Sequence, residues 1–313
     1  MSIAEIHPVR PSFKGDGIYR VLKKGKLPLD TIHSLLHASK RLADGGEIAR
    51  RRRLFETEVR APARPMPRET GYLRFTPEDF PAIGDAVARA RAVYEAKRAA
   101  EDESAFLTNP RKNFLLRIFS GAEFMQYPEI VRFIADRRLL DTVATYLGSV
   151  PIMTIAELWW SPPNDSKRSS QLVHTDYEDR RQVKCFLNVS DVDEDQGPFT
   201  FFPRDVSIRL RERLPKRGTR FTDEAIAEAA TGEEPVRLTG PAGHGALVDS
   251  SSCLHFGSRG NRRDRVVLMV QFLRFDAPCA TFDTLWARAP DGRVGDIDVA
   301  DLDPVQRAVF GYR

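Results

Sequence analysis

From Val150 onward the chain is a succession of short apolar segments closed by turn residues: IMTIAELWW (152–160), SQLVHTD (170–176), QVKCFLNVS (182–190), FTFFP (199–203), GALVDSS (245–251), CLHFG (253–257) and RVVLMVQFLRF (265–275). Segments this short, rich in β-branched and aromatic residues and punctuated by Asp, Asn, Gly and Pro, are expected to form strands. So many of them in one stretch predict two antiparallel sheets folded over each other as a double-stranded β-helix, or jelly roll. The fold class is therefore mainly β with α. Two helical insertions interrupt the strands, Val206–Leu214 and Thr222–Ala230, near residues 206–231. Insertions of that kind map to barrel rims, where they are placed to act as a lid.

The residues before the barrel read as helical support. Residues 1–26 are rich in Gly, Pro and Lys and are expected to run as an irregular arm. Leu27–Arg53 carries Ile32, Leu35, Leu36 and Leu42 at helical spacing and is expected to break at Gly45-Gly46. Within it, Arg50–Arg53 reads as a solvated basic face, and His33 and His37 as ordinary helix residues with no acid nearby to complete a metal site. APARPMPR (61–68) is a connector that no helix interior would tolerate. Thr76-Pro77-Glu78-Asp79 has the composition of a helix start, followed by Phe80, Ile83, Val87, Ala90 and Tyr94 on one face. Asn109-Pro110 closes that region, Phe114–Phe119 reads as a strand, and Pro128–Leu147 as one helix stopped by Gly148. Asp303 and Pro304 start a short final helix. The expected division is a supporting region 1–110, a barrel core 111–290 and a tail 291–313.

The chemistry sits on the strands. His174 and Asp176 are two apart in QLVHTD, so on an extended strand both side chains point to one face. His255 arrives later in CLHFG, and Arg265 opens the following apolar run. Two imidazoles and one carboxylate that leave coordination positions open form the facial triad of non-haem Fe(II) oxygenases. The planar fork of an arginine suits the far carboxylate of a dicarboxylate co-substrate. His244, in PAGHG, is a rival for the third ligand, and Arg259, Arg262 and Arg263 are rivals for the arginine. Neither set has the spacing of His255 and Arg265.

These motifs together, QLVHTD, then QVKCFLNVSDVDEDQGPFTFFP, then LHFGSRGNRRDR, resemble the phytanoyl-CoA dioxygenase-like family of iron- and 2-oxoglutarate-dependent oxygenases. The resemblance implies a cupin-like core, Fe(II) held by His174, Asp176 and His255, and 2-oxoglutarate held by Arg265. It also implies decarboxylation of that co-substrate to succinate and CO2 with O2 consumed. Halogenating relatives carry a small residue in the carboxylate's place; with Asp176 retained, hydroxylation is the expected outcome. The chain departs from the family in having Gly257, with Ser258 one place on, where relatives often have a serine two residues after the distal histidine.

Further candidates surround this set. Gln171 stands where the family has a polar residue near the site, or is a strand-edge glutamine. Lys184 shares a strand face with Phe186 and Asn188, as a carboxylate partner or as an exposed strand lysine. Glu157 and Trp159 share a face of the preceding strand, and Arg117 interrupts the apolar FLLRIF; these are the candidates for substrate contact. Trp160 reads as core.

Composition limits the partners. Lys and Arg total 48 against 44 Asp and Glu, a net charge of +4 on 313 residues, too mild an excess to point to nucleic acid. Cys185, Cys253 and Cys279 form no CxxC pair and read as reduced thiols in a cytoplasmic protein. No apolar run reaches the length of a membrane span. A small-molecule substrate is expected. The alternatives are a metal-dependent cupin enzyme that does not use 2-oxoglutarate, a non-catalytic binding module, or a nucleic-acid demethylase using the basic N-terminal region, which would show steep salt dependence.

Overall fold

A computed structural model describes residues 9, 16–24, 27–100, 113–119, 121–215, 219–278 and 292–313. The expectations for Asn109-Pro110 and Cys279 fall outside the described residues. Eleven strands form a jelly roll of two antiparallel sheets, and residues 293–298 add a separate two-stranded sheet in the tail. The major sheet has the order β1 (Tyr72–Phe75), β9 (Gly245–Val248), β5 (Gln182–Asn188), β11 (Arg265–Leu273), β3 (Ile152–Ser161), β2 (Leu116–Phe119). The minor sheet runs β7 (Arg220–Phe221), β4 (Val173–His174), β10 (His255–Phe256), β6 (Thr200–Phe201), β8 (Val236–Arg237).

Strand register divides the major sheet into two chemically different faces. In register, Leu158 lies opposite Leu268, which lies opposite Leu187; Ala156, Val270 and Cys185 form the next such row. This face is apolar and packs on α3 (Ile83–Ala99), α4 (Pro128–Ile134), α5 (Arg137–Leu147) and α8 (Pro304–Val309) in one continuous core. The alternate residues, Trp159 opposite Val267 opposite Asn188, and Glu157 opposite Met269 opposite Phe186, face the other way, into the barrel.

The minor sheet is backed differently. Val173, Leu254 and Phe202 pack with Val206, Leu210 and Ala229 of α6 (Arg204–Arg213) and α7 (Asp223–Ala229). The insertion helices therefore brace the outer side of the minor sheet, and the expected lid placement is not found. The turn into β6 needs Gly197: its φ is +59°, and a Cβ there would lie 2.0 Å from Asn261 Oδ1.

Several helix expectations are corrected. The arm holds a helix, α1 (Asp16–Lys24), and α2 spans Leu29–Glu58 as two helical segments that meet at a kink at Asp44, one residue before the expected break at Gly45-Gly46. The helix after the connector begins at Ile83, because the Asp79 carboxylate accepts from Thr76 N at 2.9 Å and holds Thr76–Asp79 as a turn. Pro128–Leu147 is two helices: Asp136 breaks it by capping Arg138 N at 2.8 Å. Gly148, at φ 72°, ends the second as expected. The solvated basic face holds for Arg52 and Arg53, which are exposed, but not for Arg51, which is fully buried and binds Glu47, Pro151 O and Ala308 O.

Candidate metal and 2-oxo acid site

Pairing of β4 with β10 sets His174 directly opposite His255, and their rings lie 4.5 Å apart. Asp176 follows β4 and is tied by its backbone N to Ser250 O at 2.9 Å, which turns its carboxylate toward both imidazoles. One donor atom from each of the three residues falls within 4.8 Å of the others. Among the described residues this is the one cluster of its kind, and His244 takes no part in it.

Tautomers are fixed from behind. His174 Nδ1 donates to Leu172 O at 2.8 Å, and His255 Nδ1 donates to Cys253 O at 2.9 Å. Each ring thus presents a bare Nε2 lone pair to the interior, as a metal ligand must. Burial, reinforced by the neighbouring His255, pushes the His174 imidazole down to about 3, and burial also lowers His255. Both rings are neutral. Burial opposes ionisation of Asp176, but the Lys184 ammonium, which also donates to it, holds its carboxyl well below the usual range. A neutral, neutral, anionic set of this kind is what a divalent cation takes.

The opposing wall is the inner face of the major sheet. Lys184 Nζ reaches across to Asp176 Oδ2 at 2.7 Å, joined by Gln182 Nε2 at 2.9 Å. Lys184 is therefore neither an exposed strand lysine nor, in this arrangement, free for a co-substrate. Gln182 was not among the sequence candidates. Its signal was there: it stands two before Lys184 and shares its face.

Arg265 begins β11 opposite Ser161, on the face that also carries Asn188, Glu157 and Lys184. It is 6% exposed, and among the described residues no acid pairs with it and its Nε has no hydrogen-bond partner; burial pushes it down to about 10. Two neighbours are in the same condition: Ser161 Oγ and Asn188 Nδ2 are buried without partners.

Of the remaining candidates, Arg117, Glu157 and Trp159 are brought together at the sheet edge. Arg117 Nε is 3.2 Å from Glu157 Oε1, and its guanidinium lies 5.0 Å from the centre of the Trp159 ring. Gln171 is not brought to the site. Its amide oxygen accepts from Ser166 Oγ and Arg168 N, and its amide nitrogen donates to Asn164 Oδ1 and Ser258 O, which leaves nothing for a ligand. Ser258 is likewise engaged, donating to Asn261 Oδ1 at 2.7 Å. Arg259 pairs with Asp223 at 2.7 Å, Arg262 with Asp195 at 3.6 Å, and Arg263 with Asp193, so each rival of Arg265 has a counter-charge.

No family model and no curated protein matches the chain. Among solved structures, the apo form of EctD from S. alaskensis aligns over 70% of this chain and 79% of its own, at 19% identity and a TM-score of 0.50. The two chains share a fold. EctD was also solved with 2-oxoglutarate and 5-hydroxyectoine, and that structure aligns at 20% identity over 69% of this chain and 77% of its own, with a TM-score of 0.49. AviO1 from Streptomyces viridochromogenes Tue57 aligns over 68% of this chain and 94% of its own, at 17% identity and a TM-score of 0.46. No helix among the described residues is long and apolar enough to cross a membrane.

Proposed function

We propose that the protein is an Fe(II)/2-oxoglutarate-dependent oxygenase that hydroxylates a small molecule, converting substrate, 2-oxoglutarate and O2 to hydroxylated product, succinate and CO2. The observation that carries this reading is Arg265. A buried guanidinium without a counter-charge is strongly unfavourable, and a chain that keeps one inside a barrel has an anion to receive there. Ser161 Oγ and Asn188 Nδ2, unpaired on the same face, supply the further contacts for that carboxylate which Gly257 lacks.

The donor set fits iron. His174 Nε2, His255 Nε2 and the Asp176 carboxylate would hold it, and when bound it supplies, with 2-oxoglutarate and O2, the oxidising power for hydroxylation. The protein's own residues do the rest. Leu172 O and Cys253 O hold the two imidazoles in the ligating tautomer, Gln182 and Lys184 orient Asp176, and Arg265 aims the dicarboxylate. Arg117, Glu157 and Trp159, charged and aromatic at the sheet edge, would contact the substrate. In this reading residues 111–290 form most of the oxygenase core, β1 (Tyr72–Phe75) adds an edge strand to it from the 1–110 region, and the helices of 1–110 and 291–313 brace it.

The test is an anaerobic titration of metal-free protein with Fe(II) and then 2-oxoglutarate, followed by visible absorption. A charge-transfer band of a chelated 2-oxo acid is expected in the wild type and not in His255→Ala. Arg265→Ala should retain Fe(II) and bind 2-oxoglutarate roughly 100-fold more weakly, as expected when a bidentate charged contact is removed. Iron binding without a band would point to a metal enzyme that does not use 2-oxoglutarate. Failure of iron to bind would overturn the metal site itself.

A further inference from the structure

The segment Tyr177–Arg180 begins one residue beyond Asp176, and the first two helices hold it from outside the barrel at successive points. His33 Nε2 donates to Tyr177 O at 2.9 Å, and the Tyr177 ring stacks on Tyr19 with centres 4.8 Å apart. His37 Nε2 contacts Asp179 Oδ1 at 2.8 Å, and its Nδ1 is 3.7 Å from Asp276 Oδ2. Arg180 returns the contact, donating to Asp30 O at 2.8 Å and Ser34 Oγ at 2.6 Å. The other end of α2 is fixed far away, where Arg51 binds Pro151 O and Ala308 O. The helix is thus a strut, anchored at the start of β3 and gripping the loop that carries one of the three donors.

We propose that His37, with His33, is a positioning pair: through Asp179 and the Tyr177 carbonyl it fixes the segment that follows Asp176 and so sets the placement of that carboxylate. This rests on the reading of Asp176 as a metal ligand. Neither histidine touches a donor residue, so the hold is exerted from behind. His37 also makes the hold depend on protonation. Asp179 and Asp276 face it from the barrel side, with Arg274 bridging them at 3.7 and 2.9 Å, while His33, Lys40 and Arg41 stand on its own helix and Arg180 lies beyond Asp179. Burial opposes the charge, yet the two carboxylates raise the imidazole above its ordinary 6.5. A raised value means that the charged contact is complete below pH 6.5 and is lost as pH rises through the folded-state value.

The experiment reads two quantities in the full chain, amide exchange of residues 177–180 without metal and Fe(II) affinity by anaerobic calorimetry at about pH 6 and about pH 8.5, either side of the imidazole range. In His37→Ala, protection at 177–180 should fall and Fe(II) affinity drop roughly tenfold at the lower pH, with a smaller difference at the higher, the scale on which groups behind a ligand act. His37→Gln keeps a neutral donor to Asp179 and should recover part of the affinity without the pH dependence. It also serves if the alanine variant does not fold. Phe133→Leu, fully buried on α4 and away from α2, should lower the melting temperature and leave both readouts alone. Wild-type exchange and affinity in both His37 variants would overturn the proposal, as would an equal effect of Phe133→Leu. A wild type that binds no Fe(II) defeats the metal reading instead, and the exchange measurement still decides whether the clamp exists.

Discussion

Helices cover this barrel in two ways. On the outer face of the major sheet, α3, α4 and α5 dock through Ile83, Val87, Ile130, Phe133, Ile134, Leu140 and Val143, all apolar and buried against Leu158, Leu268 and Val270. Along another side, α2 docks through His33, His37, Lys40, Asp44, Glu47 and Arg51, all ionisable and all buried. Those positions advance by alternate steps of four and three, the spacing of a core-facing stripe, with charges where leucines would normally stand. Apolar docking is non-directional, so the first set covers the sheet without dictating any one contact. Hydrogen-bonded charges are directional, so the second set fixes α2 in rotation and in register against particular groups: Tyr177 O, Asp179, Asp276 and Pro151 O. The directional dock lies where the site loop needs placing.

The sharpest way to separate the two is to truncate one residue in each. Phe133→Ala removes a fully buried ring from the apolar dock and should destabilise the protein by about 4 kcal/mol, measured by urea denaturation, by the same amount across neutral pH. Arg51→Met leaves volume nearly intact but strips partners from Pro151 O and Ala308 O and weakens the environment of Glu47, so a loss of about 3 kcal/mol is expected. If Arg51→Met were neutral, shape rather than hydrogen bonding would hold α2, and the contrast between the docks would collapse.

What was legible in the sequence follows the same line. The strands and the place of Arg265 could be read because period-two alternation and apolar runs report burial directly, whereas Asp176 meets His174 from beyond the end of β4, turned in by its contact with Ser250 O. The α2 seam could not, because a buried charge looks in sequence like an exposed one: Arg51 reads as solvated until Pro151 O and Ala308 O are brought to it, and His37 as idle until Asp179 and Asp276 are, all distant in the chain. Local competition hid other features. Asp79 drew Thr76 into a turn and moved a helix start to Ile83, and Asp136 split one helical stripe into two helices. Gln171 misled in the opposite direction, since its polar neighbours Ser166, Arg168, Asn164 and Ser258 satisfy it without any ligand.

A third buried charge obeys neither dock. Among the described residues Arg265 has no hydrogen-bond partner where Arg51 has four, so the same substitution should act with the opposite sign. Arg265→Met is expected to stabilise the ligand-free protein by about 1 kcal/mol in urea denaturation, since it replaces an unpaired buried charge by an apolar chain of similar length. It should also abolish the stabilisation that added 2-oxoglutarate gives the wild type with Fe(II) present. Destabilisation by Arg265→Met would mean that the guanidinium is structurally satisfied and that its role as an anion receptor is misread.

The smallest expected difference is also the most selective, because it changes only protons. Burial raises Glu47 and Asp276, but Arg50 and Arg51 around the first, and His37 with Arg274 around the second, outweigh it and leave both carboxyls below their ordinary 4.5 and 3.8. A depressed folded-state value means that their contribution is complete above the ordinary value and is lost as pH falls through the folded one. Below about pH 4.5 the seam should therefore loosen before the apolar dock does. Amide exchange read helix by helix gives the comparison: protection in α2 should fall as acid is added while protection in α4 and α5, whose buried faces carry few ionisable groups, stays level. Simultaneous loss in all three helices would show one cooperative unit, and the charged seam would then have no independent hold on the loop that bears Asp176.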